Sequence, residues 1–384
     1  VFFNILLFLV EDFMKVYLIY NQFFSPDGKV RKIGGVETYM EALCSLFEKN
    51  NVDSIICQFA NHEFKKKYKN FVVWGFPVKS SRGVCKAISS FINKEQDLII
   101  FMNEVFAINI KGVKTLTIQH GTYWDNPYTR GNVIIKLMRR IVIIIRAILY
   151  YNRCKYHVAV DYNFYNWYKT LLLTRLPKNL WIIPNFANKI ISEDELSKKN
   201  SSLDKIIKII FARRFIKYRG SILFAETISL ILDKYSNVEV TIAGEGPCEG
   251  QMKQILYKHK DKINFIKYLP EDSFNVHKEH DIAVIPTISC EGTSLSLLEA
   301  MGAGCLVVAT PIGGMSNIII DGFNGYFSMP DKDSLFSVIE KAINTVRSSN
   351  IPDMAVNTIK YGFSLPKWEE KWWQVISCIM CKDR

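Results

Sequence analysis

The sequence predicts two doubly wound α/β domains in tandem, and three observations carry that prediction. The chain has 384 residues, more than one hydrophobic core usually supports. Short β-branched or aromatic runs alternate with longer helical patterns from end to end, the signature of parallel sheets covered on both faces. One polar stretch near the middle, NKIISEDELSKKNSSLDK at residues 188–205, interrupts that alternation and reads as a linker. With 49% hydrophobic and 22% charged residues, no segment is biased enough to be disordered.

The opening VFFNILLFLVEDF holds too few apolar residues before Glu11 to span a bilayer, which takes about 20. It also lacks the basic start and small-residue cleavage site of a signal peptide. Met14, followed by the strand-like KVYLIYN, marks the expected start of the fold, with residues 1–13 an upstream extension. The first domain then runs over 14–187 through the strand candidates DSIICQF, FVVWGF, DLIIFMN, TLTIQH, YHVAV and LWIIPN. IGGVETYMEAL, from Ile33, sets Gly34 and Gly35 before a helix, where backbone can approach a phosphate closely; a Gly-Gly pair is equally at home in an ordinary turn.

The segment NVIIKLMRRIVIIIRAILYYNRCK, residues 132–155, stands apart. On a helical wheel Lys136, Arg139, Arg140, Arg146 and Arg153 fall within about 140°, and nearly everything else is aliphatic or Tyr. Two readings fit: an interfacial helix whose cations reach anionic headgroups, or a core helix with a solvated basic edge. The charge balance bears on both. The net charge is +12, with 26 Lys+Arg against 13 Asp+Glu in residues 1–192 and 23 against 24 in the rest. The first half therefore faces something anionic: a phospholipid surface, a phosphorylated carrier or nucleic acid.

The second domain, 206–365, repeats the scheme with KIIKIIFA, VEVTIAG, INFIKYL, DIAVIPT and LVVAT, and with helices beginning near Arg219, Cys248 and Ser294. FARRFIKYRG places Arg214 at a strand end and Arg219 at a helix start, two cations able to neutralise a diphosphate. AGEGPCEG is not a dinucleotide fingerprint, because Glu249 stands where GxGxxG needs glycine, so a nicotinamide enzyme is disfavoured. PKWEEKWWQVISCIM closes the chain as an aromatic helix, about 366–384, expected to pack back on the first domain.

EGTSLSLLEAMGAG follows the strand DIAVIPT, so Glu291 is expected in the loop and Glu299 on the second turn of the next helix. Thr293, Ser294, Leu295 and Ser296 then offer first-turn NH groups between two carboxylates. A sugar nucleotide has that polarity, with hydroxyls at both ends and phosphates in the middle. Nine cysteines are scattered without paired spacing apart from Cys378 and Cys381, which reads as a helix-face coincidence and a reducing compartment. The six histidines are not spaced as ligands and no Asp has another two positions away, so no metal is expected.

The segment from Asp281 to Phe327 resembles the donor site of the family 4 retaining glycosyltransferases, with their two-domain GT-B fold and Glu-x7-Glu motif. GGVE near the N-terminus, QHG at Gln119 to Gly121, IPN at Ile183 to Asn185, the ARRFIKYRG turn and AGEGP extend the resemblance, in the expected order, over nearly the whole chain from Met14. It implies two Rossmann-like domains facing each other across a cleft. It implies that Glu299 binds the ribose of a nucleoside-diphosphate sugar, Glu291 the hydroxyls of the transferred sugar, and Arg214 and Arg219 the diphosphate. NH groups at Gly34 and Gly35 would help from across the cleft, His120 would lie near the reacting carbon, and the loop of Gly244 and Gly246 near the nucleobase. Arg219 stands where Lys is usual, Thr293 and Ser294 replace a common Phe-Gly pair, and Lys267 occupies a usual Gly; these leave the donor sugar open.

The expectation is therefore a metal-independent hexosyl- or N-acetylhexosaminyltransferase without a cofactor. Its acceptor would be a saccharide, lipid-linked, in bacterial lipopolysaccharide O-antigen, capsule or exopolysaccharide synthesis. It would work in the cytoplasm, at the inner membrane through residues 132–155. Nucleic acid is not an expected partner, since no basic-aromatic recognition module is present. The rival readings are a sugar-nucleotide epimerase, a phosphorylase, and a non-catalytic nucleotide-sugar binder.

Overall fold

The computed structural model describes residues 14–128, 130–172, 179–201 and 206–381. The N-terminal extension 1–13, the end of the expected linker at 202–205 and the last three residues of the expected C-terminal helix lie outside the described residues.

The first sheet holds β1 (Lys15–Tyr20), β2 (Asp53–Phe59), β3 (Phe64–Tyr68), β4 (Phe71–Phe76), β5 (Leu98–Phe101), β6 (Lys114–Gln119), β7 (Tyr156–Ala159) and β8 (Leu180–Ile182), in the order β3-β4-β2-β1-β5-β6-β7-β8. Its helices are α1 (Gly35–Lys49), α2 (Ser81–Ile88), α3 (Val133–Tyr151) and α4 (Tyr162–Leu172). After α5 (Glu193–Asn200) the second sheet collects β9 (Ile207–Ala212), β10 (Val238–Ala243), β11 (Ile263–Ile266), β12 (Ile282–Ile285), β13 (Leu306–Ala309) and β14 (Tyr326–Phe327), in the order β11-β10-β9-β12-β13-β14. The remaining helices are α6 (Ser221–Lys234), α7 (Glu249–Ile255), α8 (Ser273–Lys278), α9 (Leu295–Gly302), α10 (Lys332–Thr345), α11 (Ile351–Thr358) and α12 (Leu365–Cys381). Central strands such as β5 and β13 are buried along their whole length, so their apolar runs are continuous rather than alternating.

Two details depart from the sequence expectation. The first sheet is not wholly parallel, because FKKKY forms β3 and pairs antiparallel with β4 at the sheet edge. Its exposed Lys65, Lys66 and Lys67 are what an edge strand tolerates and what kept the run from reading as a strand. The polar 188–205 stretch is not all linker either: it contains α5, started by a capping box in which Ser192 and Glu195 satisfy each other's backbone NH groups.

Each sheet reverses its strand order at one point, between β1 and β5 in the first and between β9 and β12 in the second. Crevices at the carboxyl ends of such strands take ligands in doubly wound folds. Helix α12 buries Trp368, Trp372, Val375, Ile376 and Ile379 in the core of the first sheet, although it follows the second in sequence. Trp372 Nε1 donates to the Tyr39 hydroxyl of α1 at 2.8 Å. The chain thus returns to tie the two halves together.

Candidate functional site

The loops after β1, β6, β9 and β12 meet in one cleft. After β1 the chain reaches Gly34, which precedes α1 in an extended conformation and offers no side-chain cap. After β12 it reaches Ser294, which likewise starts α9 without a side-chain cap. Two helix N-termini therefore keep first-turn NH groups without intrahelical partners. A Cβ placed on Gly35 would lie 3.4 Å from Leu295 Cδ1, so the two ends face each other across a narrow gap. Arg214 enters from β9, and its Nη2 donates to the Ile33 carbonyl at 2.8 Å. Two positive helix ends and a cation border one gap suited to an anion, with the Glu37 carboxylate of the first turn of α1 beside Gly34 and Arg214 at its edge.

Beside that gap lies a charged cluster that is almost wholly buried. Glu291 Oε2 accepts from Arg213 Nη2 at 2.5 Å and from Thr287 Oγ1 at 2.9 Å, and it also pairs with Arg219 Nη1. Burial alone would push the Glu291 carboxyl up, but the Arg219 and Arg213 guanidiniums outweigh it and hold the group down at about 2. Glu291 is thus an anion at any working pH. All these bonds fall on Oε2, which leaves Oε1 as the oxygen to accept from a hydroxyl.

Glu299 occupies the second turn of α9 and borders a separate cavity of about 220 Å³ with Asn188, Lys189, Pro270, Ser273 and Phe274. Its Oε2 accepts from Ser273 Oγ at 2.7 Å. Burial raises its carboxyl to about 7, with the Ser273 hydrogen bond acting weakly the other way. A larger cavity of about 340 Å³ lies among Lys208, Glu239 and Ile263, at the amino ends of β9, β10 and β11. That is the end of a parallel sheet that does not receive ligands.

His120 follows β6 and packs edge-on against Tyr39, ring centroids 5.2 Å apart. Burial lowers it to about 4, so its ring is neutral at pH 7, and its buried Nε2 has no hydrogen-bond partner among the described residues. Next to it, Gly121 has φ +108° and touches the second domain; a Cβ there would lie 2.6 Å from Gly292 Cα. Backbone approach that close leaves room only for glycine.

The structure brings Gly34, Gly35, His120, Arg214, Arg219, Glu291, Thr293, Ser294, Leu295 and Ser296 around the cleft, with Glu299 one helical turn deeper. Thr293 Oγ1 is committed to the Val160 carbonyl, and its own carbonyl accepts from Asn185 Nδ2 at 2.5 Å, so both serve to join the domains. Gly244 and Gly246 back the arginine turn, and a Cβ on Gly244 would lie 2.2 Å from the Arg213 carbonyl oxygen.

Four participants escaped sequence reasoning. Arg213 read as the neighbour of Arg214, and nothing in ARRF says that the first of two adjacent arginines turns inward. Ser273 is far from Glu299 in sequence. Asp161 caps α4 through Oδ1, which accepts from Phe164 N at 3.0 Å, while its buried Oδ2 has no partner among the described residues. Burial raises that carboxyl to about 6. Glu104, just past β5 at the first reversal point, is 1% exposed, and neither carboxylate oxygen has a partner among the described residues. Burial raises it to about 7. The pairing of a buried carboxyl with the reversal point was legible only once the strand order was known.

Comparison with known proteins bears on the fold and on what the chain is similar to. Residues 192–362 match the family model described as "Glycosyl transferases group 1". The GPI3 subunit of phosphatidylinositol N-acetylglucosaminyltransferase from Saccharomyces cerevisiae is 26% identical over 269 residues, covering 67% of this chain and 55% of that protein. A lipopolysaccharide 1,2-N-acetylglucosaminetransferase from Salmonella typhimurium is 23% identical over 189 residues, 46% of this chain and 49% of that protein. The chain spans about half the length of the curated relatives it matches. Among solved structures, sucrose-phosphate synthase from Thermosynechococcus elongatus superposes with a TM-score of 0.73 at 12% identity, over 95% of this chain and 99% of that one. The pneumococcal O-GlcNAc transferase GtfA in complex with UDP and GlcNAc gives 0.70 at 12% identity, over 96% and 100%. The fold is GT-B. Its second domain is the part that matches the group 1 glycosyl transferases.

Proposed function

We propose that the protein is a retaining, metal-independent glycosyltransferase that moves a hexosyl or N-acetylhexosaminyl group from a nucleoside-diphosphate sugar to a saccharide acceptor. The observation that carries this reading is the order of groups along the cleft. An ionised carboxylate, Glu291, stands at one end. Two uncapped helix N-termini with Arg214 and Arg219 occupy the middle, and the Glu299 carboxyl lies beside its own cavity at the far end. Sugar, diphosphate and nucleoside have the same order of chemistry.

In this reading the diphosphate lies between α1 and α9, with Arg214 and Arg219 meeting the negative charge that grows on the departing phosphate. Glu291 Oε1 accepts from a sugar hydroxyl, and Glu299 accepts from the ribose. The acceptor hydroxyl attacks from the face that the diphosphate leaves, and its proton passes to a phosphate oxygen, so the configuration is kept without a protein nucleophile. His120, neutral at pH 7, Asp161 through its Oδ2 and the Glu104 carboxyl are polar groups on the first-domain side for donor sugar and acceptor.

The names of the two relatives favour N-acetylglucosamine as the first donor sugar to test, and both point to acceptors carried on lipid. We assign the protein to bacterial surface polysaccharide assembly, O-antigen, capsule or exopolysaccharide, at the cytoplasmic face of the inner membrane. The test is a panel of nucleotide sugars incubated with the protein and a membrane lipid extract, with and without EDTA. One donor should be consumed only when lipid is present, indifferent to EDTA, with the anomeric configuration kept in the product. Product formed without acceptor would favour an epimerase, and phosphate-dependent release of sugar a phosphorylase.

The raised carboxyl of Glu299 makes nucleotide affinity pH-dependent. Only the ionised form accepts from two ribose hydroxyls, so affinity should rise with pH up to about 7 and level off above it. Below that point it should fall by as much as about ten-fold per unit. In Glu299→Gln only the dependence set by the terminal phosphate of UDP, which titrates at about pH 6, should remain; calorimetric titration with UDP between about pH 5.5 and 8.5 checks both.

A further inference from the structure

We propose that α3 is a docking surface for an anionic phospholipid bilayer, holding the first-domain side of the cleft against the membrane. The helix has 19 residues and buries only Ala147 and Tyr151. Ile144 and Ile148 join them on the face that meets the core, at the spacing of one helical stripe. Roughly 130° around the axis from that face runs a second apolar stripe: Ile134, Met138, Ile141, Val142, Ile145 and Leu149. These six side chains are 46–67% exposed, an uncovered apolar surface of the kind that marks an interaction site.

Charge selects the occupant. Arg139 and Arg146 lie along one flank of the stripe, with Lys136 and Arg140 farther round the axis, and α3 contains no acidic residue. Among the described residues none of these four forms an ion pair. An apolar stripe beside cations that no carboxylate neutralises matches the boundary between acyl chains and anionic headgroups, where the cations stay in water and the stripe leaves it; Arg139 Nη1 donates only to the Arg130 carbonyl, at 2.5 Å. A second copy of the chain would set its own Arg139 and Arg146 beside these two, and like charges oppose that pairing. No helix among the described residues is long and apolar enough to cross a membrane, so α3 lies on the surface rather than through it.

The position of α3 gives the contact a use. Its N-terminus follows the loop from β6, on which Asp125 Oδ1 accepts from Cys290 N of the second domain at 3.1 Å. The Asn132 side chain caps the helix by accepting from Ile135 N, so the first turns are ordered although Val133 to Met138 make little contact with the core. This protruding end sits at the carboxyl edge of the sheet, where the cleft opens. A bilayer against it brings membrane-borne hydroxyls to the acceptor side. The docking itself stands apart from the transferase reading, and the lipid-borne acceptor rests on both.

The test is co-sedimentation of the full chain with phosphatidylcholine vesicles, with and without phosphatidylglycerol. The wild type should partition onto the anionic vesicles and stay in solution with the neutral ones, and high salt should release it. The double variants Arg139→Glu/Arg146→Glu and Ile141→Asp/Ile145→Asp should each weaken binding by about ten-fold or more. Their melting temperatures should stay close to wild type, because all four side chains are exposed. Wild type that ignores anionic vesicles, or variants that bind as it does, would overturn the proposal. So would a lipid-free dimer that Ile141→Asp/Ile145→Asp dissociates while no vesicle binding occurs. UDP titration of the same variants separates the two readings: vesicle binding without nucleotide binding keeps the docking surface and removes the transferase.

Discussion

Arg219→Ala is expected to lower kcat by about two to three orders of magnitude while the protein stays folded. The guanidinium stands at the start of α6 beside Glu291, next to the gap where the departing phosphate gains charge. A preorganised cation at that place is worth most in the transition state, so KM for the donor should change far less than kcat. Folding should survive because Arg213 still holds the Glu291 carboxylate at 2.5 Å. Arg219→Lys keeps the charge and should restore most of the rate. Steady-state kinetics on the three proteins checks this; an alanine variant with wild-type kcat would remove Arg219 from the chemistry.

Glu291→Ala has the largest expected effect on stability, about 3–5 kcal/mol, in addition to its loss of activity. The side chains of Arg213 and Glu291 are 5% and 7% exposed, so removing the carboxylate strands one cation in the interior and a second at its edge. The paired change Arg213→Met/Glu291→Leu removes both buried charges, and should be less destabilising than Glu291→Ala alone. Urea unfolding of the three variants measures that coupling. The sign of the pH effect follows from the lowered carboxyl. Folding holds Glu291 at about 2, below its ordinary value of about 4.3, so its contribution is complete above that value and is lost as pH falls toward 2. The wild type should therefore lose stability through that acid window, and the double variant should lose less.

Much of the fold was legible in the sequence because fully buried parallel strands read as apolar runs whatever packs on them. DIAVIPT and LVVAT became β12 and β13 almost as read. The edge strand FKKKY was not legible, since its stability comes from pairing with β4 and its lysines carry no alternating pattern. The helix in the polar stretch could have been found, because SEDE holds a Ser and a Glu at capping-box spacing.

The candidate site divides in the same way. Glu291, Glu299 and the glycines before α1 are local features with local signals, and so appear in the sequence. Which carboxylate meets which cation is a tertiary matter. Arg214 and Arg219 read as one pair of diphosphate ligands. In the folded chain Arg219 joins Arg213 on Glu291, while Arg214 reaches across to the carbonyl of Ile33. The same limit held for residues 132–155, where a wheel alone left a core helix and an interfacial helix equally open. The exposure of Ile134, Met138 and Leu149 counts against a core helix.

The most direct test of the account is calorimetric titration of the wild type and Glu299→Ala with UDP at pH 8, where Glu299 is ionised. The cleft geometry predicts one nucleotide per chain for the wild type and binding weakened by about ten-fold or more in the variant, the loss of a charge-assisted hydrogen-bond acceptor. A wild type that binds no nucleoside diphosphate, or a variant that binds it as tightly, would contradict the assignment of this cleft as a nucleotide-sugar site.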